Sequence, residues 1–134
     1  MPVPLPAELL ELLRRPSLCF VATIMPDGSP QLTQTWVSTD GEHIVINTPE
    51  WSQKARNAAR DQRVAVNVVD ADNTRRYFAV RGRVIAATTE GGAQSIDEIS
   101  GKYLGRPYPW FGDHPEARMI LTIEADSVRG MGGR

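Results

Sequence analysis

Apolar and polar positions alternate along this chain in ways that predict its elements one by one. Leu5, Leu9 and Leu12 recur at the helical period and Leu13 widens the stripe, so residues 5–13 read as a short helix, stopped by Pro16. Ser17 to Met25 is apolar on both faces, which predicts a central strand. Pro26-Asp27-Gly28-Ser29 is a turn: proline sets the corner and glycine takes the positive φ. Gln31 to Thr39 reads as a second strand, Asp40-Gly41 as a tight hairpin turn of the primed type, and Glu42 to Thr48 as a third strand. Residues 17–48 are therefore expected to form a three-stranded antiparallel meander.

A helix is expected next, with Thr48 and Ser52 as capping residues and Pro49 in the first turn. Valines alternate with small or polar residues over Arg63 to Val69, a strand, and Asp70 to Asn73 turns the chain. In the long strand from Arg75 to Thr88, Phe78, Val80, Val84 and Ala86 share a face with Gly82, which predicts a bulge or bend. Ala93, Ile96, Ile99 and Tyr103 mark a helix over 91–104, ended by Gly105. Residues 106–116 form a loop rich in proline and aromatics. In the last strand Met119, Leu121 and Ile123 point one way, Arg118, Thr122 and Glu124 the other. Residues 130–134 are a tail. Six strands and about three helices, joined by short turns without repeat or linker, predict one domain over 1–134, mainly β, built as a small barrel or sandwich.

Composition narrows the function classes. At 134 residues the chain can bury a core without staples, and a net charge of −1 argues against a general nucleic-acid binder. The single cysteine, Cys19, cannot form an internal disulfide, which fits a reducing, cytoplasmic setting. No secretory apolar region and no membrane-length run is read.

No side-chain constellation does hard chemistry alone. There is no nucleophile elbow and no HExxH or CxxC, and one cysteine with His43 and His114 is too few for a zinc site. No metal is expected, and any catalysis is assigned to a bound cofactor acting on a small molecule. Lys54, Arg56 and Arg60 put positive charge at a helix start, where the dipole is already positive; they form either an anion site or a solvated face. Thr33, Gln34, Thr35 and Trp36 make the second strand polar, suiting either a ring-binding edge or a solvent-facing edge strand. Arg75-Arg76 and the Arg81/Arg83 pair suit anions or interface ion pairs. Trp110 and Phe111 suit a lid, a dimer contact or a cap on the barrel.

Four stretches together resemble the pyridoxamine-phosphate-oxidase-like family of FMN-binding split β-barrel proteins, in particular its branch using the deazaflavin coenzyme F420. They are Ala22 to Gln31; Lys54-Ala55-Arg56-Asn57-Ala58-Ala59-Arg60-Asp61-Gln62-Arg63-Val64, similar to K-x-R-N-L-x-R-D-P-R-V; Tyr77 to Val84; and Tyr103-Leu104-Gly105-Arg106-Pro107-Tyr108-Pro109, similar to Y-x-G-x-x-Y-P. The resemblance implies a six-stranded antiparallel split barrel and a homodimer with cofactor sites at the subunit interface. It implies that Lys54 contacts the coenzyme phosphate with help from Thr48, that Gln34, Thr35 and Trp36 lie along the ring system, and that Arg56 and Asn57 border the phosphate and linker. Arg75 and Arg76 would meet the phosphate or glutamate tail, and Trp110 would come from the other subunit. Ser52 stands where many relatives carry a second basic residue. The implied activity is reduction of an electron-poor conjugated molecule by hydride from reduced coenzyme F420. The alternatives are FMN-dependent oxidase or reductase chemistry on the same fold, or non-catalytic binding of the cofactor or of haem.

Overall fold

In the computed structural model, residues 1–109 and 117–132 are described. The elements are α1 (Ala7–Leu13), β1 (Leu18–Ile24), β2 (Pro30–Thr35), β3 (Ser38–Thr39), β4 (Ile44–Pro49), α2 (Gln53–Arg60), β5 (Arg63–Val69), β6 (Tyr77–Thr88), α3 (Gly92–Leu104) and β7 (Arg118–Met131). The seven strands form one antiparallel sheet in the order β2-β1-β5-β6-β7-β4-β3. β2 and β3 follow each other in sequence yet lie on opposite edges. Only Trp36 and Val37 separate them, so the chain spans at most about 11 Å between the edges. The sheet must therefore curl on itself, and the half-barrel of the expected split-barrel fold follows from its connectivity.

This topology corrects the expected meander. The strand read over 31–39 is two strands, because the chain leaves one edge after Thr35 and joins the other at Ser38. Asp40-Gly41 is not a two-residue primed turn: Thr39 pairs with Ile44, leaving a four-residue loop. Asp40 Oδ1 organises that loop by accepting from the Glu42 and His43 amides. Between β1 and β2, Asp27 Oδ1 accepts from the Ser29 amide, and Gly28 takes φ 89°.

The core lies inside the curl. Leu9, Leu12 and Leu13 of α1 pack with Cys19 and Val21 of β1, Ile44 and Ile46 of β4, Val66 and Val68 of β5, and Leu121 and Ile123 of β7. β1 is flanked on both sides, as its apolar character predicts, but its outer face (Leu18, Phe20, Ala22, Ile24) is only half-buried. The expected irregularity at Gly82 is present. Asp126 bulges out of β7 between the Arg81–Ser127 and Gly82–Ala125 pairs, and a Cβ on Gly82 would collide with the Glu124 carbonyl. A second bulge at Ile85 turns Ala86 outward, against its expected place on the buried face. In α3 it is Gly92, not Ala93, that packs inward, its Cα against the Arg118 backbone. Among the described residues no helix is long and apolar enough to cross a membrane.

Candidate functional site

The start of α2 is built from the end of β4. Ser52 is the N-cap: its Oγ accepts from the Ala55 amide at 3.1 Å and from Thr48 Oγ1 at 2.9 Å. Thr48 therefore positions the cap instead of capping, and Pro49 remains the last residue of β4. The three early cations then part company. Arg56 folds back onto the Trp51 carbonyl (2.6 Å) and Gln53 Oε1 (2.5 Å). Arg60 donates to the Ile24 carbonyl and to Asn57 Oδ1. Lys54 alone turns inward and is 8% exposed. Burial is the main force lowering its pKa; the neighbouring Cys19 opposes the shift and the Arg118 cation adds to it. Among the described residues no carboxylate pairs with Lys54.

Asn57, expected beside a phosphate, is fully buried as a latch. Its Nδ2 donates to Thr23 Oγ1 (3.0 Å) and Gln31 Oε1 (3.3 Å), and its Oδ1 accepts from Gln53 Nε2 at 2.7 Å. It ties α2 to the β1–β2 hairpin.

A cleft of about 700 Å³ opens along the seam where the sheet edges approach. Gln34, Thr35 and Trp36 line one side, Asn47 and Arg118 the other, and Ile96, Tyr103 and Tyr108 the cover formed by α3 and the segment after it. The Trp36 and Tyr103 rings stack at 5.0 Å and 9°, and Tyr108 meets Trp36 edge-on at 6.1 Å. Arg118 is buried over the Tyr108 ring at 5.1 Å, and its Nε donates to Asn47 Oδ1 at 2.7 Å. Asn47 Nδ2 in turn donates to the Gly92 carbonyl at 2.9 Å. Lys54 does not itself line this cleft; Arg118, whose charge adds to the lowering of its pKa, does. Chemically, the arrangement offers aromatic surface for a planar group and buried positive charge for an anion.

Of the residues read from sequence, Gln34, Thr35 and Trp36 come together in the cleft; Lys54 is buried on α2, and Thr48 and Ser52 shape the start of that helix. Arg75 and Arg76 do not join them. They sit in the β5–β6 turn, at the far end of β5 from α2, about 20 Å along the strand. Arg75 is exposed, and Arg76 pairs with the buried Asp70 at 3.3 Å. Trp110 lies outside the described residues. Arg83 binds Glu124 (2.7 Å) and Asp126 (3.1 Å) across the bulge.

Arg118 points away from the core face, as the alternation along β7 predicts, but α3 covers that side of the strand and buries it. Tyr103 and Tyr108 carried the resemblance without being singled out as site residues. Their spacing in a glycine- and proline-broken segment was the available signal.

Comparison with known proteins gives matches over nearly the whole chain. The family model described as pyridoxamine 5′-phosphate oxidase matches residues 5–132. A solved structure named F420 reductase is 29% identical, with 93% of this chain and 98% of that chain covered at a TM-score of 0.80. A conserved hypothetical protein from Mycobacterium tuberculosis is 28% identical over 97% of this chain and 86% of its own, with a TM-score of 0.73. HupZ of Group A Streptococcus, at 18% identity over 94% of this chain and 93% of its own and a TM-score of 0.65, shares the fold.

Proposed function

Since the chain belongs to the pyridoxamine 5′-phosphate oxidase family, a flavin- or deazaflavin-binding oxidoreductase kind, we propose that it is a coenzyme F420-dependent reductase of electron-poor conjugated small molecules. The observation that carries this reading is Lys54, a buried cation without a carboxylate partner among the described residues, which feels the charge of Arg118 in the wall of an aromatic cleft. An uncompensated buried charge is costly, and a ligand anion supplies the missing partner. The solved F420 reductase, matched over nearly the full length of both chains, supports the deazaflavin over FMN.

The residues present fit the coenzyme. Lys54 would hold its phosphate at the start of α2, where free amides favour an anion. Gln34 and Thr35 present an amide and a hydroxyl to the ring edge, and Trp36 presents an aromatic surface. When bound, the reduced deazaflavin supplies the hydride. The protein binds and orients; Tyr103, Tyr108 and Ile96 exclude water from the cleft.

The reading includes a homodimer. The outer sheet face carries a cavity of about 390 Å³ lined by Phe20, Ala22, Leu32, Ala65 and Ala79, with Leu32 70% exposed. A second copy would cover it and offers a route for Arg75 and Arg76 to reach a coenzyme held by its partner. Cytoplasmic location accords with the single free cysteine.

Fluorescence titration with coenzyme F420 and, separately, FMN tests the proposal. Selective binding of coenzyme F420, followed by reduction of enones with the reduced coenzyme, is the expected result. Selective FMN binding, or binding of neither, overturns it.

A further inference from the structure

Trp36 and Val37 join the two edges of the sheet and belong to neither ladder. Val37 is fully buried, so its peptide groups need partners from elsewhere. Both come from the last turn of α3. The Val37 amide donates to the Tyr103 hydroxyl at 3.2 Å, and the same hydroxyl donates to the Ser17 carbonyl at 2.6 Å. The Lys102 ammonium donates to the Val37 carbonyl and, at 2.7 Å, to the Leu13 carbonyl. Leu13 ends α1, where helix carbonyls lack internal partners. Two consecutive side chains thus tie together the end of α1, the start of β1 and the crossover between the sheet edges.

Of the two, Tyr103 also lines the cleft. The Tyr103 ring stacks on Trp36, and the chain runs directly from Tyr103 into the cleft-lining positions Leu104, Arg106 and Tyr108. We propose that Lys102 and Tyr103 are positioning residues: by holding the Val37 peptide through both its amide and its carbonyl, they set the orientation in which Trp36 is presented to a planar group bound in the cleft. This rests on the reading above, that the cleft receives the deazaflavin ring or its acceptor. Neither residue is asked to touch the reacting atoms. The role differs from simple packing, because the leucine, valine and isoleucine core inside the curl is complete without them.

The substitutions separate the parts of the clasp. Lys102→Met keeps most of the aliphatic stem and removes the donors. Lys102→Arg retains a cation with several N–H groups. Tyr103→Phe keeps the stacked ring and leaves the Val37 amide unpaired. Three readouts apply: near-UV circular dichroism of the ligand-free protein, with Trp36→Leu identifying the Trp36 signal; amide hydrogen exchange at Val37; and coenzyme F420 affinity with the split between KM and kcat for an enone acceptor. Lys102→Met and Tyr103→Phe are expected to weaken the Trp36 signal, speed Val37 exchange by about tenfold or more, and raise Kd and KM by more than they lower kcat. Lys102→Arg is expected to restore all three.

If the wild type binds coenzyme F420 while both variants keep its dichroism, exchange and affinity, the positioning role is overturned. If the wild type binds no coenzyme but the variants shift dichroism and exchange, the clasp stands and the cofactor reading falls. Should Lys102→Met not fold, Tyr103→Phe carries the same decision.

Discussion

Lys54→Met sets stability against binding. Lys54 is 8% exposed, sits in the first turn of α2, and has no carboxylate partner among the described residues. Each fact makes its charge unfavourable for the ligand-free fold. A cation near a helix N-terminus costs about 0.3–1 kcal/mol, and replacing a buried charge by an apolar group of similar volume commonly stabilises by about 1–4 kcal/mol. Methionine keeps the unbranched stem and helix propensity. A gain of about 1–3 kcal/mol is therefore expected; for a chain of 134 residues this raises Tm by about 4–10 °C. Binding moves the opposite way. Losing a charge-assisted hydrogen bond to an anion removes about 1.5–3 kcal/mol, or about 10- to 150-fold in affinity. The assay is paired: thermal unfolding without ligand, and fluorescence titration with coenzyme F420 at a temperature where both proteins are folded. A variant with lower Tm and unchanged affinity would refute the reasoning, because Lys54 would then be a structural cation whose stem and charge serve packing alone.

Three further outcomes follow from the same contacts. Gly92→Ala places a methyl against the Arg118 carbonyl, so it is expected to lose about 2 kcal/mol, a Tm fall of about 7 °C, in thermal unfolding. Asn57→Ala removes the partner of Thr23, Gln31 and Gln53 and should lower stability by about 2–3 kcal/mol in urea titration, with coenzyme affinity of the folded fraction unchanged; a selective affinity loss would instead return Asn57 to the phosphate. Burial raises the Cys19 thiol from 9.0 to about 12, so the folded state keeps a proton that the unfolded chain releases, and stability from this group is lost as pH rises from 9 toward 12 at about 1.4 kcal/mol per pH unit. Lys102, lowered by burial to about 8, acts oppositely between about pH 8 and 10.5, and Tyr103, raised by burial to about 12, adds to the fall above pH 10. Urea midpoints against pH should therefore rise from about pH 8 to 9, stay level to about pH 10 and drop steeply above 10.5; Cys19→Ala should show the shallower drop, and equal slopes would contradict the thiol's part in it.

Much of the architecture was legible because local pattern and tertiary environment agree. The leucines of α1, the alternating valines of β5 and the glycine in β6 each report a burial that the fold realises. The break at Trp36–Val37 was not legible. It contains no glycine or proline, and Trp36 and Val37 are strand-favouring residues that continue the pattern of the threonines around them. Its hydrogen bonds come from Tyr103 and Lys102, more than sixty positions away, and no local pattern announces such partners. Arg76 has a partner that sequence did not announce: Asp70, at the head of the same turn, pairs with it while also accepting from Arg15 at 3.0 Å. Lys54 and Arg56 look equivalent in sequence, and only the packing of α2 on β1 and β4 separates a buried cation from an exposed one.

The two readings of the polar second strand are compatible in this topology. β2 is an edge strand, and its alternate residues Pro30, Leu32 and Gln34 are exposed. It is also the edge that faces the seam. Hydrogen-bonded strands lie about 4.8 Å apart, whereas the Trp36–Val37 crossover lets the β2 and β3 edges stand as far as about 11 Å apart. A gap of that size admits side chains and a flat ligand but no ladder. Edge-strand polarity and the proposed ring binding are therefore compatible: Gln34, Thr35 and Trp36, at the end of this edge, line the same cleft as Ile96 and Tyr103 of α3. A ligand in the cleft, as proposed, would touch Trp36 in the two-residue link between the two edges. Its binding should then stiffen the barrel as a whole, with amide exchange slowing in β3 and β4 as well as in the cleft. Slowing confined to residues 34–36 would show that the seam is a surface groove and not the closure of the barrel.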